Sequence, residues 1–303
     1  MRQKINRILC ATDFSEVSRD VVPFGIRMAR ELNATLYICH VIDLPTISVY
    51  GEAVFDPITQ QQRFIDFARQ EIEYLVGDAP VEWQQLIPIG QTTEEIARQA
   101  GEKAVDLVIT ATHGRSGLKR LFLGSVTERL MRILSCPLLV LRSTGDSEQA
   151  IRQELPFKKI LVGYDFSEDA DAAFQSGLNM AQEFESTLHL MHVVEPTAYK
   201  EYARVPSTDG EPLRQDMYDS IKSRMQALVP EDALNWCSLE TLIRVGKPYA
   251  ELVRYAQTQA VDLIITGVRG HGMVEELLVG STTDRVIRRA PCPVLSVCRP
   301  AEK

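Results

Sequence analysis

The sequence lacks the features that mark a membrane or secreted protein. No uninterrupted apolar run approaches the ~20 residues that a helix needs to span a bilayer. Its first residues, MRQKINRILC, contain neither the apolar core nor the small-residue cleavage site of a secretory signal. None of the six cysteines forms a C-x-x-C pair, which favours buried apolar thiols in a reducing compartment over a metal site or a disulfide framework. We therefore expect a cytoplasmic protein with no membrane partner.

Basic residues are also in short supply. The chain has 33 lysines and arginines against 41 aspartates and glutamates, which gives a net charge of −8. A protein that binds a nucleic-acid backbone usually carries a basic face, so we expect no nucleic-acid partner. Hydrophobic residues make up 45% of the chain, which is enough to build folded cores and excludes disorder as the main state. At about 150 residues per domain, the length predicts two domains.

The two halves of the chain repeat each other. The segment RILCATDFSE returns as KILVGYDFSE, so that Asp13 corresponds to Asp165. Further along, THGRSGLKRLFLGS returns as VRGHGMVEELLVGS in the second half. A repeat of this length indicates a duplicated domain, because the units of solenoid proteins span only about 20–50 residues.

The duplication sets the predicted domain bounds. The first copy spans 1–143 and the second spans 157–303. Between them, the polar segment 144–156 lacks strong periodicity and is interpreted as a linker. The spacing between the matched blocks grows by four residues in the second copy, which places an insertion within 195–235.

Within each copy, short apolar segments alternate with amphipathic ones. This order predicts an α/β fold whose parallel strands are joined by right-handed helical crossovers. The predicted strands of the first copy are 7–12, 34–42, 81–89, 105–112 and 137–141. Its predicted helices run from Ser15 to about Leu32, over 57–76, over TTEEIARQAGEK and over 124–134. The predicted strands of the second copy are KKILVGY, TLHLMHVV, LETLIRV, VDLIITG and PVLSV.

Two features of each copy follow predicted strands. Asp13 and its counterpart Asp165 come directly after the first strand, and a glycine-containing loop follows the fourth. Ligands of open parallel sheets bind beyond the carboxyl ends of the strands, where the strand order reverses. Each aspartate alone is more often a helix-cap residue, but opposite a glycine loop a carboxylate that reads a nucleobase becomes the favoured interpretation.

The glycine loops have the chemistry of a phosphate site. Each ends in a Gly-Ser pair at the start of a predicted helix, where free N–H groups, a hydroxyl and the helix dipole attract an anion. The alternative is that these glycines serve only turns and caps. Neither a Walker P-loop nor a G-x-G-x-x-G dinucleotide motif occurs. We favour a ligand site because the same spacing recurs in both copies.

With these motifs in place, the sequence resembles the universal stress protein family in its tandem two-domain form. The resemblance covers nearly the whole chain and rests on DFSE after strand one, H-V-[IV] at the end of strand two, D-L-[VI]-I-T in strand four, G-x2-G-x9-G-[ST], and C-P before the last strand. It implies two Rossmann-like domains of the adenine nucleotide alpha hydrolase type, each a five-stranded, mainly parallel sheet of order 3-2-1-4-5. It also implies that ATP or AMP binds at the carboxyl edge, with or without Mg²⁺.

The resemblance also implies contacts for named residues. For the adenine, they are Asp13 and Val41 in the first copy, and Asp165 and Val193 in the second. For phosphate and ribose in the first copy, they are Gly114, Arg115, Gly124, Ser125 and Val126. For phosphate and ribose in the second copy, they are Gly267, Gly270, His271, Gly280, Ser281 and Thr282.

The two copies differ within the motif. The first begins with Ala111 where the pattern has glycine, and a methyl group there would either crowd the ribose or be tolerated. Charge differs in the opposite sense, since the first loop is basic and the second is acidic. The charged residues are Arg115, Lys119 and Arg120 in the first loop, and Glu275 and Glu276 after His271 in the second. We therefore hypothesise two non-equivalent sites.

The leading hypothesis is an adenine-nucleotide-binding regulatory protein of the stress response that acts on an unknown protein partner. The alternatives are a slow ATP hydrolase and a ligand-free interaction scaffold, and the sequence shows no arranged general base, catalytic residue or metal-ligating cluster. His40 and His192 end buried strands and are expected to be satisfied rim residues. The apolar closing strands PLLVLR and PVLSVC predict that the copies pair within one chain as a pseudo-dimer, with a homodimer also open.

Overall fold

The computed structural model describes residues 4–43, 57–112, 123–142, 155–195, 215–230, 237–270 and 279–299. The chain divides into two compact units, and the division falls between Leu155 and Pro156. Within the described ranges, no helix is long and apolar enough to cross a membrane.

The first unit alternates strands and helices from its start. Its strands are β1 (Arg7–Ala11), β2 (Thr35–Cys39), β3 (Trp83–Leu86), β4 (Leu107–Ala111) and β5 (Leu138–Leu141). Its helices are α1 (Val21–Leu32), α2 (Pro57–Val76), α3 (Thr92–Glu102) and α4 (Ser125–Ile133). The strands are parallel and lie in the order β3-β2-β1-β4-β5.

The second unit has the same architecture. Its strands are β6 (Lys159–Gly163), β7 (Thr187–Val194), β8 (Ser238–Val245), β9 (Leu263–Gly267) and β10 (Val294–Val297). Its helices are α5 (Glu168–Glu183), α6 (Gln215–Ala227), α7 (Pro248–Gln259) and α8 (Ser281–Arg289). The order β8-β7-β6-β9-β10 is again parallel, so the predicted 3-2-1-4-5 sheet is confirmed in both copies.

The central strands form the core of each unit. In β1, Ile8, Leu9 and Cys10 are fully buried, and β4 is buried along its whole length. A parallel sheet covered by helices on both faces buries both sides of its strands, which is why these segments are continuous apolar runs. The strand order places the carboxyl ends of β1 and β4 side by side, and those of β6 and β9 likewise. These two edges are the switch points at which the sequence predicts a ligand.

The first helix begins later than predicted. The predicted start at Ser15 is wrong, because regular helix begins at Val21 and the preceding residues form turns. Proline has no N–H to donate to the carbonyl four residues earlier, so a helix running through Pro23 from Ser15 would lose that bond. Beginning at Val21 puts Pro23 in the first turn, where the N–H groups have no intrahelical partner in any case. In the second copy α5 begins at Glu168, directly after Ser167.

Candidate functional site

Each copy carries a strained Asp-Phe-Ser loop at the end of its first strand. Phe14 has φ 60° and Phe166 has φ 64°, both in the left-handed region. This conformation costs a non-glycine residue about 1–2 kcal/mol, and such strain concentrates at functional sites. Because the same strain occurs in both copies, we interpret it as part of the site's design.

A histidine at the end of the second strand supports each of these loops. His40 Nδ1 lies 2.9 Å from the carbonyl oxygen of Thr12, and His192 Nδ1 lies 2.8 Å from that of Tyr164. A carbonyl can only accept, so Nδ1 carries the proton. The His40 ring also stacks on Phe14 with centroids 4.2 Å apart. The expectation that these histidines are satisfied rim residues is confirmed.

Each predicted aspartate is fixed by its own loop. Asp13 Oδ1 accepts hydrogen bonds from Ser15 N at 3.0 Å and from Ser18 Oγ at 2.6 Å. Asp165 Oδ1 accepts from both the N–H, at 3.0 Å, and the hydroxyl, at 2.5 Å, of Ser167. The carboxylates therefore form turns and are not the helix caps that the sequence left open, and these turns hold them in place at the carboxyl edge.

In the second copy, the glycine loop meets the aspartate. A Cβ atom added to Gly270 would lie 2.7 Å from Asp165 Oδ2, which is inside van der Waals contact. A Cβ added to Gly280 would lie 3.1 Å from the carbonyl oxygen of Val268. These close approaches explain two of the motif glycines, and they bring the strand-one carboxylate and the strand-four loop together as predicted.

The helices that follow the glycine loops are held at the sheet edge in the same way in both copies. Gly124 N donates to Thr112 O, and Gly280 N donates to Val268 O, each at 2.8 Å. Both glycines are N-caps without a side-chain capping bond. The first-turn N–H groups of α4 and α8 are therefore available to an anion, and the predicted contact residues Ser125, Val126, Ser281 and Thr282 occupy those turns.

A buried threonine anchors each of these helices and was not predicted from the sequence. Thr127 Oγ1 donates to Ala111 O at 2.9 Å, and Thr283 Oγ1 donates to Gly267 O at 2.6 Å. Both threonines are almost fully buried. The sequence signal was available, because SVT and STT place threonine at the same position of the repeat.

Gly267 faces a helix. A Cβ there would lie 2.8 Å from the carbonyl carbon and 2.9 Å from the Cβ of Asp169, in the first turn of α5. In the first copy, where α1 starts only at Val21, the equivalent position holds Ala111. Ala111 is buried, so its methyl group is accommodated in the first copy, and the ribose or phosphate contact of Gly267 stays a prediction.

One arginine adds positive charge to the second site that the motif does not contain, and a second is balanced by a carboxylate. The guanidinium of Arg224, on α6, lies over the ring of Phe166 at 3.8 Å from its centroid. Arg269, in the loop itself, is paired with Asp169. In the first copy the neighbour of the Phe14 ring from α2 is the half-exposed Phe67, at 6.2 Å and edge-on.

Two pKa shifts describe the electrostatics of the second site. Burial opposes ionisation of Asp169, but hydrogen bonds from the Arg269 side chain and from the Arg299 and Arg269 backbones hold its pKa below the usual value. Burial lowers the pKa of His192, and Arg224 lowers it further, against the opposing effects of Tyr164 and Asp165. The site therefore presents an ionised Asp169 and a neutral His192 at neutral pH.

The remaining predicted residues are placed as follows. Val41 lies two residues after β2 and is half-buried, and Val193 lies in β7 near its carboxyl end. Gly114, Arg115 and His271 lie outside the described residues, as do the charged loop residues Lys119, Arg120, Glu275 and Glu276.

The universal stress protein family model matches residues 4–142 and 156–297, which are most of the chain. The chain belongs to the universal stress protein family. It is 32% identical to a universal stress protein of Thermus aquaticus over 150 residues, covering 46% of this chain and 98% of the relative.

A solved structure shares the fold of this chain. A universal stress protein of Archaeoglobus fulgidus superimposes with a TM-score of 0.71 at 22% identity, over 98% of this chain and 99% of that one, which shows the same fold. A universal stress protein solved in complex with cAMP covers 47% of this chain and 97% of its own, at 22% identity and a TM-score of 0.32.

Proposed function

We propose that this universal stress protein binds one adenine nucleotide, ATP or AMP, in each of its two copies and acts as a regulator in the cytoplasm. The sites lie at the carboxyl edges of domains 1–143 and 157–303, which are joined by the linker 144–156. The observation that supports this function best is the approach of Gly270 to Asp165, with only 2.7 Å between an added Cβ and Oδ2. It puts a fixed carboxylate and a close-approach backbone loop at a sheet switch point.

The two parts of each site suit the two ends of a nucleotide. An ionised aspartate or the adjacent backbone accepts a hydrogen bond from the exocyclic amine of adenine, which is a donor. The uncapped first turns of α4 and α8 offer N–H groups and a helix dipole to the phosphates. We propose that the backbone around Val41 and Val193 completes the adenine contact.

We propose that the two sites differ in strength and in phosphate preference. In the second copy, Arg224 lies beside the site and offsets part of the acidic charge of its loop, whereas the charge of Arg269 is balanced by Asp169. The first copy has the aromatic neighbour Phe67 and a basic loop sequence. Because the surroundings of the two sites differ, we expect nucleotide to bind in two steps of different affinity.

Binding, and not turnover, is the proposed activity, and any ATP hydrolysis is expected to be slow. Among the described residues, no three His, Cys, Asp or Glu side chains cluster to hold a metal ion. That Mg²⁺ arrives together with the nucleotide stays a prediction.

The test is to denature the purified full chain, identify any released nucleotide and count it, and then to titrate nucleotide-free protein with ATP and AMP. We expect an adenine nucleotide and two unequal binding steps. Two identical steps would contradict the non-equivalence of the sites. Release of no nucleotide, together with no binding and no thermal shift, would instead favour the interaction scaffold. Rapid metal-dependent loss of ATP would favour the hydrolase.

A further inference from the structure

We propose that Asp169 is a positioning residue that holds Arg269 and Gly270, in the nucleotide loop of the second copy, in their binding conformation before a nucleotide arrives. This inference rests on the proposed function, and it adds a residue that belongs to neither the Asp-Phe-Ser loop nor the glycine motif. Asp169 lies in the first turn of α5, and its side chain is only 4% exposed.

The carboxylate of Asp169 binds the loop at several atoms. Its Oδ2 accepts from the backbone N–H of Arg269 at 2.9 Å and from Nε at 2.9 Å. Its Oδ1 accepts from Arg269 Nη2 at 3.1 Å and from the backbone N–H of Arg299 at 3.0 Å. Charge-assisted bonds of this kind are about twice as strong as neutral ones, and the paired geometry fixes direction as well as distance.

These bonds control the position of Gly270, the loop residue that lies beside Asp165. Arg269 directly precedes Gly270, whose Cα faces Asp165 Oδ2. Because Asp169 binds the backbone N–H of Arg269 and not its side chain alone, the bonds fix the Val268–Arg269 peptide unit, which directly precedes the unit that joins Arg269 to Gly270. The Ser167 hydroxyl, which donates its proton to the Asp165 carboxylate, lies 3.4 Å from Arg269 O. Asp169 therefore fixes the distance between the loop and the adenine-binding carboxylate.

The first copy does not contain this pair. The positions that correspond to Asp169 and Arg269 in the repeat hold Val17 and His113. Valine has no acceptor, so the bond to the loop cannot form there. The close approach of α5 in the second copy depends in turn on Gly267, where a side chain would collide with Asp169.

Residues that are already held in place, as Arg269 is, lose less conformational entropy on binding, and preorganisation of this kind raises affinity. We therefore assign the tighter of the two nucleotide sites to the second copy.

The test is Asp169→Asn in the full chain, measured by calorimetric titration with ATP and by hydrogen exchange at the Arg269 amide. Asparagine keeps the shape of the side chain but loses its charge and one acceptor. We expect the tighter binding step to weaken by about tenfold, and the weaker step to keep its affinity. We expect the Arg269 amide to exchange faster in the nucleotide-free variant and to regain protection when ATP saturates the site.

Two further variants complete the design. Glu102→Gln removes the exposed Arg98–Glu102 pair of α3, where Nη1 and Oε1 are 2.6 Å apart, and is expected to leave both binding steps and the Arg269 amide unchanged. If Asp169→Asn does not fold, Arg269→Gln replaces it, because this variant removes the guanidinium while Asp169 and the backbone N–H remain. It is expected to weaken the same step.

The outcomes separate this inference from the proposed function. Wild-type protein that binds no adenine nucleotide would overturn the proposed function, and this inference with it. Wild-type protein that binds in two steps, of which neither changes in Asp169→Asn, would overturn this inference alone. If Asp169 had only a structural role, Asp169→Asn would lower the thermal midpoint, but saturating ATP would not restore the protection of the Arg269 amide. That result would also overturn this inference.

Discussion

At the scale of single residues, the site requires glycine at three positions where a side chain would not fit. Gly267, Gly270 and Gly280 each lie where an added Cβ would come within about 3 Å of another group, and the three groups differ. They are the first turn of a helix, the carboxylate of Asp165 and a backbone carbonyl. The three glycines of one motif are therefore required for three different steric reasons. Only Gly270 lies directly beside the proposed adenine contact.

We predict that Gly270→Ala weakens ATP binding at the second site by at least about tenfold, which corresponds to about 1.4 kcal/mol. The new methyl group would lie 2.7 Å from Asp165 Oδ2, so either the loop or the carboxylate must shift. Calorimetric titration of the variant measures this loss.

Gly101→Ala is the matched control, because an added Cβ at this helical glycine meets no atom within 4 Å. Alanine stabilises a helix by roughly 0.5–1 kcal/mol relative to glycine, so we expect unchanged binding and a slightly higher thermal midpoint. Equal ATP affinity for Gly270→Ala and Gly101→Ala would show that the close approach of Gly270 to Asp165 has no part in binding.

The repeat predicts the aspartates and the motif glycines because it preserves them in both copies. It does not predict Asp169 or Arg224, since neither has a counterpart of the same type in the first copy. Their contributions depend on how closely α5 and α6 approach the sheet edge. That distance is a tertiary property that a sequence pattern does not contain.

At the scale of helices and strands, the ends of the helices depart most from the simple rules. The residue after α1 is Asn33, with φ 52°, a residue type that tolerates the left-handed conformation. The corresponding turn after α3 uses Ala104 with φ 47°, and the residue after α7 is Ala260 with φ 50°. Both alanines are exposed. Their backbone strain is therefore not offset by burial of their side chains.

We predict that Ala104→Gly and Ala260→Gly each stabilise their own unit by roughly 0.5–1 kcal/mol, because glycine adopts a positive φ without steric cost. Denaturant titration of the full chain, followed separately for each unit by hydrogen exchange, measures this change. The control is Ala97→Gly inside α3, where glycine costs about 1 kcal/mol, so the sign is opposite. A loss of stability in Ala104→Gly or Ala260→Gly would contradict the prediction.

Strand and helix identities follow closely from the sequence, because apolar runs and amphipathic segments alternate in both copies. The errors are local. The predicted first helix ignores Pro23, which moves its start to Val21. The helix α6 lies in the interval that was interpreted only as an insertion, because its polar sequence buries just Ile221 and Met225 and has no strong apolar stripe.

At the scale of the whole molecule, the duplication gives each copy an internal reference. Buried histidine distinguishes the two. His189 of β7 is almost fully buried and its Nδ1 lies 2.8 Å from the Tyr255 hydroxyl, whereas the corresponding residue of the first copy is Tyr37. Burial lowers the pKa of His189, and nearby Lys159 lowers it further, against the opposing effect of Glu240. The second copy is therefore expected to be the acid-sensitive one.

We predict that the contribution of neutral His189 to the stability of the second unit is fully present above the unfolded histidine pKa of 6.5 and is lost as pH falls through the lower folded value. The sign follows because the unfolded chain binds the proton more readily. His189→Gln cannot ionise, so its stability should fall less steeply below about pH 6.5. His192 keeps part of the slope, since burial lowers its pKa too.

The measurement is the denaturation midpoint of wild type and His189→Gln across this pH range, with the unit that unfolds identified by hydrogen exchange. Parallel curves for the two proteins would assign the pH dependence to other groups.

The pairing of the two copies as a pseudo-dimer, and of two chains as a homodimer, stays a prediction.

The contact between Gly267 and the first turn of α5 also limits which sequence segments can be swapped between the two copies. Alanine placed at 267 alone would push a methyl group into the helix backbone at Asp169, and glycine placed at 111 alone would remove a buried methyl group. A functional graft from one copy to the other must carry the strand end, the loop and the helix start together. The copies of this chain can therefore diverge, or be recombined, only in linked blocks.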